Sequence, residues 1–308
     1  MVSQPAALTL GVEEAPRLQA RLATLADYWM LTKPEVNLLI LITTLAGFCL
    51  ALPSSTQHFP VLLLINTLLG TLLVASGTGV LNQFIERTFD AQMRRTARRP
   101  IASGRIAASS AFWFGIALAC SGCLYLGVAV NKLASLLALL TLLSYLFVYT
   151  PLKRKTPLCT LVGALPGAMP PLIGWAGAAG KLSLEAWSLY TILFLWQFPH
   201  FMAIAWMYRE DYSRAGYLVL PHEESRGSLM ALQAVLPCLL LVPAGLIPLI
   251  LAHSSFPYWV ANLLLTSGFL IYAVRLAVER SNAVAKRLLL VSIIYLPLVF
   301  FTILLSKP

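Results

Sequence analysis

The chain has 308 residues, is 59% hydrophobic, carries only 11% charged residues and has a formal net charge of +10. A soluble globular domain carries about 25% charged residues, so this composition excludes an ordinary water-soluble fold and implies apolar surface facing a bilayer. Nucleic acid, a common partner of basic chains, is excluded by the placement of the charges in short segments between long apolar runs.

Residues 1–27 hold both charge signs and no apolar core, which predicts a cytoplasmic N-terminal tail without a cleavable signal. A single intramembrane domain is expected over 28–308. Charge-free runs follow at 36–85, 106–131, 133–152, 156–180, 186–208, 227–274 and 288–306. A spanning helix needs about 20 apolar residues, so five runs fit one span each. The first and sixth are long enough for two, and each is interrupted by a polar stretch (PSSTQH at 53–58, HSSFP at 253–257). The fold class is therefore all-α and polytopic: nine transmembrane helices, near 35–53, 60–86, 109–130, 133–151, 157–179, 185–207, 229–252, 257–275 and 288–306. The fifth contains GALPGAMPPLIG (163–174), whose prolines and glycines forbid a regular helix. Broken backbone at membrane depth is tolerated only where it is buried or lines a cavity, so this span is expected to wall a central cavity.

With the N-terminus cytoplasmic, nineteen of the 22 Lys and Arg residues fall on the inner side, and only Lys132, Lys181 and Lys307 fall outside. This positive-inside distribution predicts N-in, C-out. Cys120 and Cys123 have redox-motif spacing, but they lie mid-span and are read as packing residues.

Four constellations stand out. Residues 82–99 (NQFIERTFDAQMRRTARR) place Asn82, Glu86 and Asp90 four apart at the end of the second span, ahead of Arg94, Arg95, Arg98 and Arg99. Residues at i, i+4 and i+8 drift by about 40° per step on a helix, so the three oxygen-bearing side chains share one face. Mg²⁺ takes oxygen ligands, typically one or two carboxylates together with substrate phosphates, and guanidinium groups match phosphate oxygens. The face therefore suggests a divalent cation and arginines holding a diphosphate. The second constellation, Arg209, Glu210 and Asp211, ends the sixth span on the same side and is expected to complete the cation site. Lys153, Arg154 and Lys155, behind Tyr149, offer a further phosphate contact or act as topology anchors. Finally, His200 in WQFPHF (196–201) lies within a span, where an ionisable side chain marks a site by default.

The pattern Asn82, Glu86, Asp90, Met93, Arg95, Thr96, Arg99, Pro100, Gly104 resembles the intramembrane prenyltransferases of the UbiA superfamily. LTKPEV (31–36), YTPLKRKTP (149–157), GAMPPLIGWA (167–176) and WQFPHF with DYSRAG (196–201, 211–216) look like its heme O synthase (protoheme IX farnesyltransferase) branch. The resemblance covers about residues 28–300. Two departures stand out: Glu86 replaces the usual Asp, and Tyr208 and Tyr212 occupy the outer positions of the family's second acidic motif.

The resemblance implies a Mg²⁺-dependent enzyme that transfers a farnesyl group from farnesyl diphosphate to a vinyl group of heme b, with addition of water. Heme is then a substrate and not a cofactor. The roles it implies are as follows. Asn82, Glu86, Asp90, Glu210 and Asp211 are catalytic, and Asn82, Glu86, Asp90 and Asp211 hold metal. Arg94, Arg95, Arg98, Arg99, Lys153, Arg154, Arg209, His200, Tyr149 and Trp196 bind substrate, with His200 the candidate heme contact. It also implies a bacterial inner membrane location and proteins of heme modification or terminal oxidase assembly as partners. A prenyltransferase for another aromatic acceptor, such as a quinone precursor, and a transporter of an anionic amphipathic solute stay open as alternatives.

Overall fold

The computed structural model describes residues 24–53, 57–220 and 223–307, with backbone alone over 223–227. Most of the tail expected over 1–27, and the centre of the PSSTQH interruption, lie outside the described residues. Among the described residues there are nine helical segments long and apolar enough to cross a membrane. They form α1 (Pro34–Ala51), α2 (Val61–Asp90), α3 (Ala108–Ala129), α4 (Lys132–Leu152), α5 and α6 (Cys159–Gly167 and Pro170–Ala179, two halves of one span), α7 (Leu184–Met207), α9 (Glu223–Leu251), α10 (Phe256–Glu279) and α11 (Asn282–Leu305). A short helix, α8 (Arg209–Arg214), follows α7.

Several helices outrun the apolar spans read from the sequence. The i→i−4 ladder does not end where the bilayer does. Thus α2 continues past residue 86 to Asp90, and α10 continues past 275 to an Arg275–Glu279 pair one turn apart.

Chain neighbours pack side by side, and α11 returns against α1, α7 and α10, so the spans close into a ring. Lys307 fastens the closure by donating to the carbonyls of Leu50 (3.0 Å) and Leu52 at the end of α1. The ring turns apolar side chains outward as well as inward: Leu62, Leu124, Val128, Leu264 and Val278 are all exposed, as expected where the surrounding medium is lipid.

The crossing of α1 and α6 needs small residues. A Cβ on Gly174 would lie 2.0 Å from the Thr44 carbonyl oxygen, and one on Gly47 2.2 Å from that of Pro171. The expected break in the fifth span falls at Ala168–Met169, between α5 and α6. Pro170 and Pro171 have no N–H to continue the ladder. Gln197 of α7 reaches this turn, donating from Nε2 to the Ala164 carbonyl (3.1 Å).

Candidate active site

A cavity of about 420 Å³ lies inside the ring and reaches the end where α2, α4 and α7 stop. Its deeper wall is mostly apolar and aromatic, with Leu39, Ile40, Val74, Tyr145, Ile173 and Trp196. Its mouth collects Lys33, Asn82, Glu86, Asp90, Arg95, Arg99, Lys153 and Tyr217.

Asn82, Glu86 and Asp90 sit on one face of α2, and all three are buried, with 2%, 6% and 1% exposure. Their partners come from three other segments: the turn at Lys33, the end of α4 and the loop after α2. Asn82 donates from Nδ2 to Thr150 Oγ1 (3.2 Å) and accepts on Oδ1 from Lys33 Nζ (3.0 Å). Thr150 spends its own proton on the Tyr145 carbonyl (2.8 Å), so its hydroxyl can only accept from Asn82. That fixes the amide with its oxygen toward Lys33. The Tyr145 carbonyl also accepts the Thr150 backbone N–H, five residues on, because α4 is π-helical over Ser144–Tyr149, a local widening often found at functional sites. Glu86 pairs with Lys153 (2.8 Å), and Asp90 Oδ2 pairs with Arg99 Nη1 (2.7 Å). The second oxygen of Asp90 is buried without a partner.

Lys33 has no counterpart in the sequence-derived site. Pro34 disfavours right-handed helical geometry in the residue before it, and Lys33 takes the left-handed region (φ 55°). This turn separates a helix over 24–31 from α1 and sends the Lys33 side chain to the cavity mouth. Burial, followed by the positive charges of Arg99 and Lys153, lowers the Lys33 pKa to about 7. Lys153 goes the other way. Burial acts to lower its pKa, but the Glu86 carboxylate overrides that and holds it well above the ordinary lysine value. Burial, then the charge of Glu86, pushes the Tyr217 hydroxyl up.

The second cluster straps the first in place. Asp211 accepts from the Arg95 backbone N–H (3.2 Å) on one oxygen and pairs with Arg214 (3.3 Å) on the other. Arg95 lies over the Tyr208 and Tyr212 rings, at 4.9 and 6.0 Å. One carboxylate oxygen of Asp211 thus holds the loop that carries Arg95 at the cavity mouth, while the other pairs within α8.

Of the residues singled out in the sequence, Asn82, Glu86, Asp90, Arg95, Arg99, Tyr149, Lys153, Trp196 and His200 line the cavity. Others lie elsewhere. Arg94, Arg98 and Glu210 are exposed on the surface. Arg154 stacks on Phe89 (4.1 Å), beside a separate shallow pocket. Arg209 turns back to the Trp206 carbonyl and Asn282. The loop after Asp90 turns irregularly, so alternate arginines point to cavity and solvent in a way that spacing does not reveal.

An oxygen-ligated cation suits what is present. Among the described residues, no three His, Cys, Asp or Glu side chains converge into a self-sufficient metal site. Two carboxylates and an amide oxygen, with one Asp90 oxygen unpartnered, match an ion that completes its shell with water and substrate phosphate.

Deeper in the cavity, His200 stacks on Trp196, with ring centroids 4.6 Å apart and planes 26° apart. Its Nδ1 lies 2.8 Å from Ser292 Oγ on α11.

The profile of the UbiA prenyltransferase family matches residues 40–303. A protoheme IX farnesyltransferase of Solibacter usitatus is 47% identical over 288 residues, covering 92% of this chain and 99% of that relative. Among solved structures, one of digeranylgeranylglyceryl phosphate synthase superposes with a TM-score of 0.71 at 18% identity, covering 92% of this chain and 98% of that one. A UbiA homologue from Archaeoglobus fulgidus bound to GPP and Mg²⁺ superposes with a TM-score of 0.64 at 16% identity, covering 90% and 99%.

Proposed function

The chain belongs to the UbiA prenyltransferase family, in its protoheme IX farnesyltransferase branch, and from that membership we propose how its cavity works. The enzyme transfers a farnesyl group from farnesyl diphosphate to a vinyl group of heme b, adds water, and releases heme O and diphosphate. The observation that carries the reading is one cavity joining an oxygen-rich, cation-flanked mouth to an apolar aromatic interior.

In this reading the diphosphate sits at the mouth, and the farnesyl chain runs inward along α1, α2 and α4. Asn82, Glu86 and Asp90 hold Mg²⁺. When bound, the ion supplies positive charge to the leaving diphosphate. Arg95, Arg99, Lys153 and Lys33 bind phosphate oxygens and stabilise the charge that develops as the C–O bond breaks. The ring faces of Tyr145, Tyr149 and Trp196 flank the allylic cation and keep bulk water away until the vinyl group has attacked. Water then captures the heme-side cation. His200 contacts the heme, with its imidazole directed to the iron. The cationic mouth faces the cytoplasm of a bacterial inner membrane, as the distribution of Lys and Arg favours.

The test is product formation by the purified protein in nanodiscs, given heme b and labelled farnesyl diphosphate with and without Mg²⁺. A farnesylated, hydrated heme that forms only with Mg²⁺ is expected. Transfer of label to a quinone precursor but not to heme would move the protein to another acceptor, and uptake of diphosphate without bond cleavage would make it a transporter.

A further inference from the structure

The side chain that orients His200 is itself on α11, far away in the sequence. Ser292 is fully buried, and two groups of α7 meet it. Trp196 donates from Nε1 to the Ser292 carbonyl (2.8 Å), and His200 Nδ1 meets the Ser292 hydroxyl (2.8 Å). That hydroxyl in turn lies 2.6 Å from the Leu289 carbonyl. A carbonyl only accepts, so the single Ser292 proton belongs to the bond with Leu289. The hydroxyl oxygen then has only lone pairs to offer His200, and Nδ1 must carry the proton. A neutral imidazole protonated on Nδ1 has its free lone pair on Nε2, and His200 is a cavity-lining residue with part of its surface open.

We propose that Ser292 is a positioning residue for the heme substrate: it fixes the His200 tautomer and ring plane so that Nε2 is presented to the heme iron. One residue does this for two rings, since its carbonyl holds Trp196 while its hydroxyl holds His200, and the stacked pair forms one wall of the cavity. The proposal rests on the reading of His200 as the heme contact. It adds the group that makes His200 competent to ligate, in the way that ligating histidines donate their second N–H to a fixed acceptor.

The test is titration of the purified full-length protein in nanodiscs with ferric heme b, read by the Soret band and low-temperature EPR, with farnesyl diphosphate binding measured in parallel. His200→Ala is expected to lose the imidazole signature. Ser292→Ala is expected to weaken heme affinity by about 10–100-fold, the usual effect of removing such a partner, and to give a mixed or altered iron spectrum. Ser292→Thr keeps a hydroxyl and is expected to retain the wild-type spectrum. Farnesyl diphosphate binding stays unchanged in all three, which shows the fold is intact. Should Ser292→Ala fail that control, Ser292→Cys replaces it; the size is nearly kept and the hydrogen bond is weak, so the same loss is expected. If the spectrum and affinity are unchanged in the Ser292 variants while His200→Ala loses them, the positioning role is overturned and the His200 reading stands. If His200→Ala itself binds heme like wild type, the His200 reading fails, and the role of Ser292 fails with it.

Discussion

Asp90→Asn tests the cation site most directly, because the structure dictates where the new amide must turn. Asp90 has two oxygens in different situations: Oδ2 accepts from Arg99 at 2.7 Å, and Oδ1 is buried without a partner. Asparagine has one acceptor and one donor group. Arg99 donates only, so the amide must point its oxygen at Arg99 and its NH₂ into the position now held by the free oxygen. The substitution thus removes a negative charge and also places a donor where a cation needs a lone pair. Loss of a preorganised electrostatic contact to a developing charge costs roughly 10²–10³ in rate, about 2.7–4 kcal/mol, and the amide inversion puts the expectation at the upper end. The assay is steady-state turnover of heme b and labelled farnesyl diphosphate across a Mg²⁺ titration, with heme binding as the control for fold. The expected result is a fall in kcat/KM of about 10³, a raised Mg²⁺ requirement and unchanged heme affinity. Wild-type turnover at the wild-type Mg²⁺ midpoint would refute the assignment of Asp90 as a ligand.

Three further outcomes follow from geometry. Arg95→Ala and Arg99→Ala should each lower kcat/KM for farnesyl diphosphate by at least about tenfold, the effect of losing a charge-assisted contact of roughly 1.5–3 kcal/mol; Arg94→Ala, Arg98→Ala and Glu210→Ala should leave it near wild type, because these side chains are exposed and away from the cavity. Equal losses in both groups would contradict the placement of the loop. Lys153→Met strands the Glu86 carboxylate in a buried site; breaking such a pair costs about 3–5 kcal/mol, so thermal unfolding in detergent should shift down clearly, and Lys153→Met with Glu86→Gln should recover part of the shift. Gly174→Ala pushes a Cβ to within 2.0 Å of the Thr44 carbonyl oxygen and should destabilise by about 1–3 kcal/mol or more, whereas Gly268→Ala, inside α10 with open space around it, should be neutral or slightly stabilising; equal melting temperatures would show that α1 and α6 are not so closely packed.

The sequence by itself determined the all-α class, the nine spans and the interrupted fifth span, because lipid imposes a length and a composition on whatever crosses it and proline imposes a break. It also determined that Asn82, Glu86 and Asp90 share a face, since helix periodicity is a local property, and the same four-residue spacing carries the family resemblance. Other features were decided only by the tertiary structure. Lys33 joins Asn82 across 49 residues and Ser292 meets His200 across 92; neither has a local pattern that marks it, and Ser292 stands in an apolar run like any packing residue. The irregular turn after Asp90 sorts Arg95 and Arg99 toward the cavity and Arg94 and Arg98 toward solvent, and Asp211 proves to hold that turn through the Arg95 backbone. Periodicity reports which side chains lie together on one helix. Which oxygen is left free, which lysine is buried beside a carboxylate and which nitrogen carries the proton depend on groups from several helices meeting at one point, and closure of the ring is what brings them there.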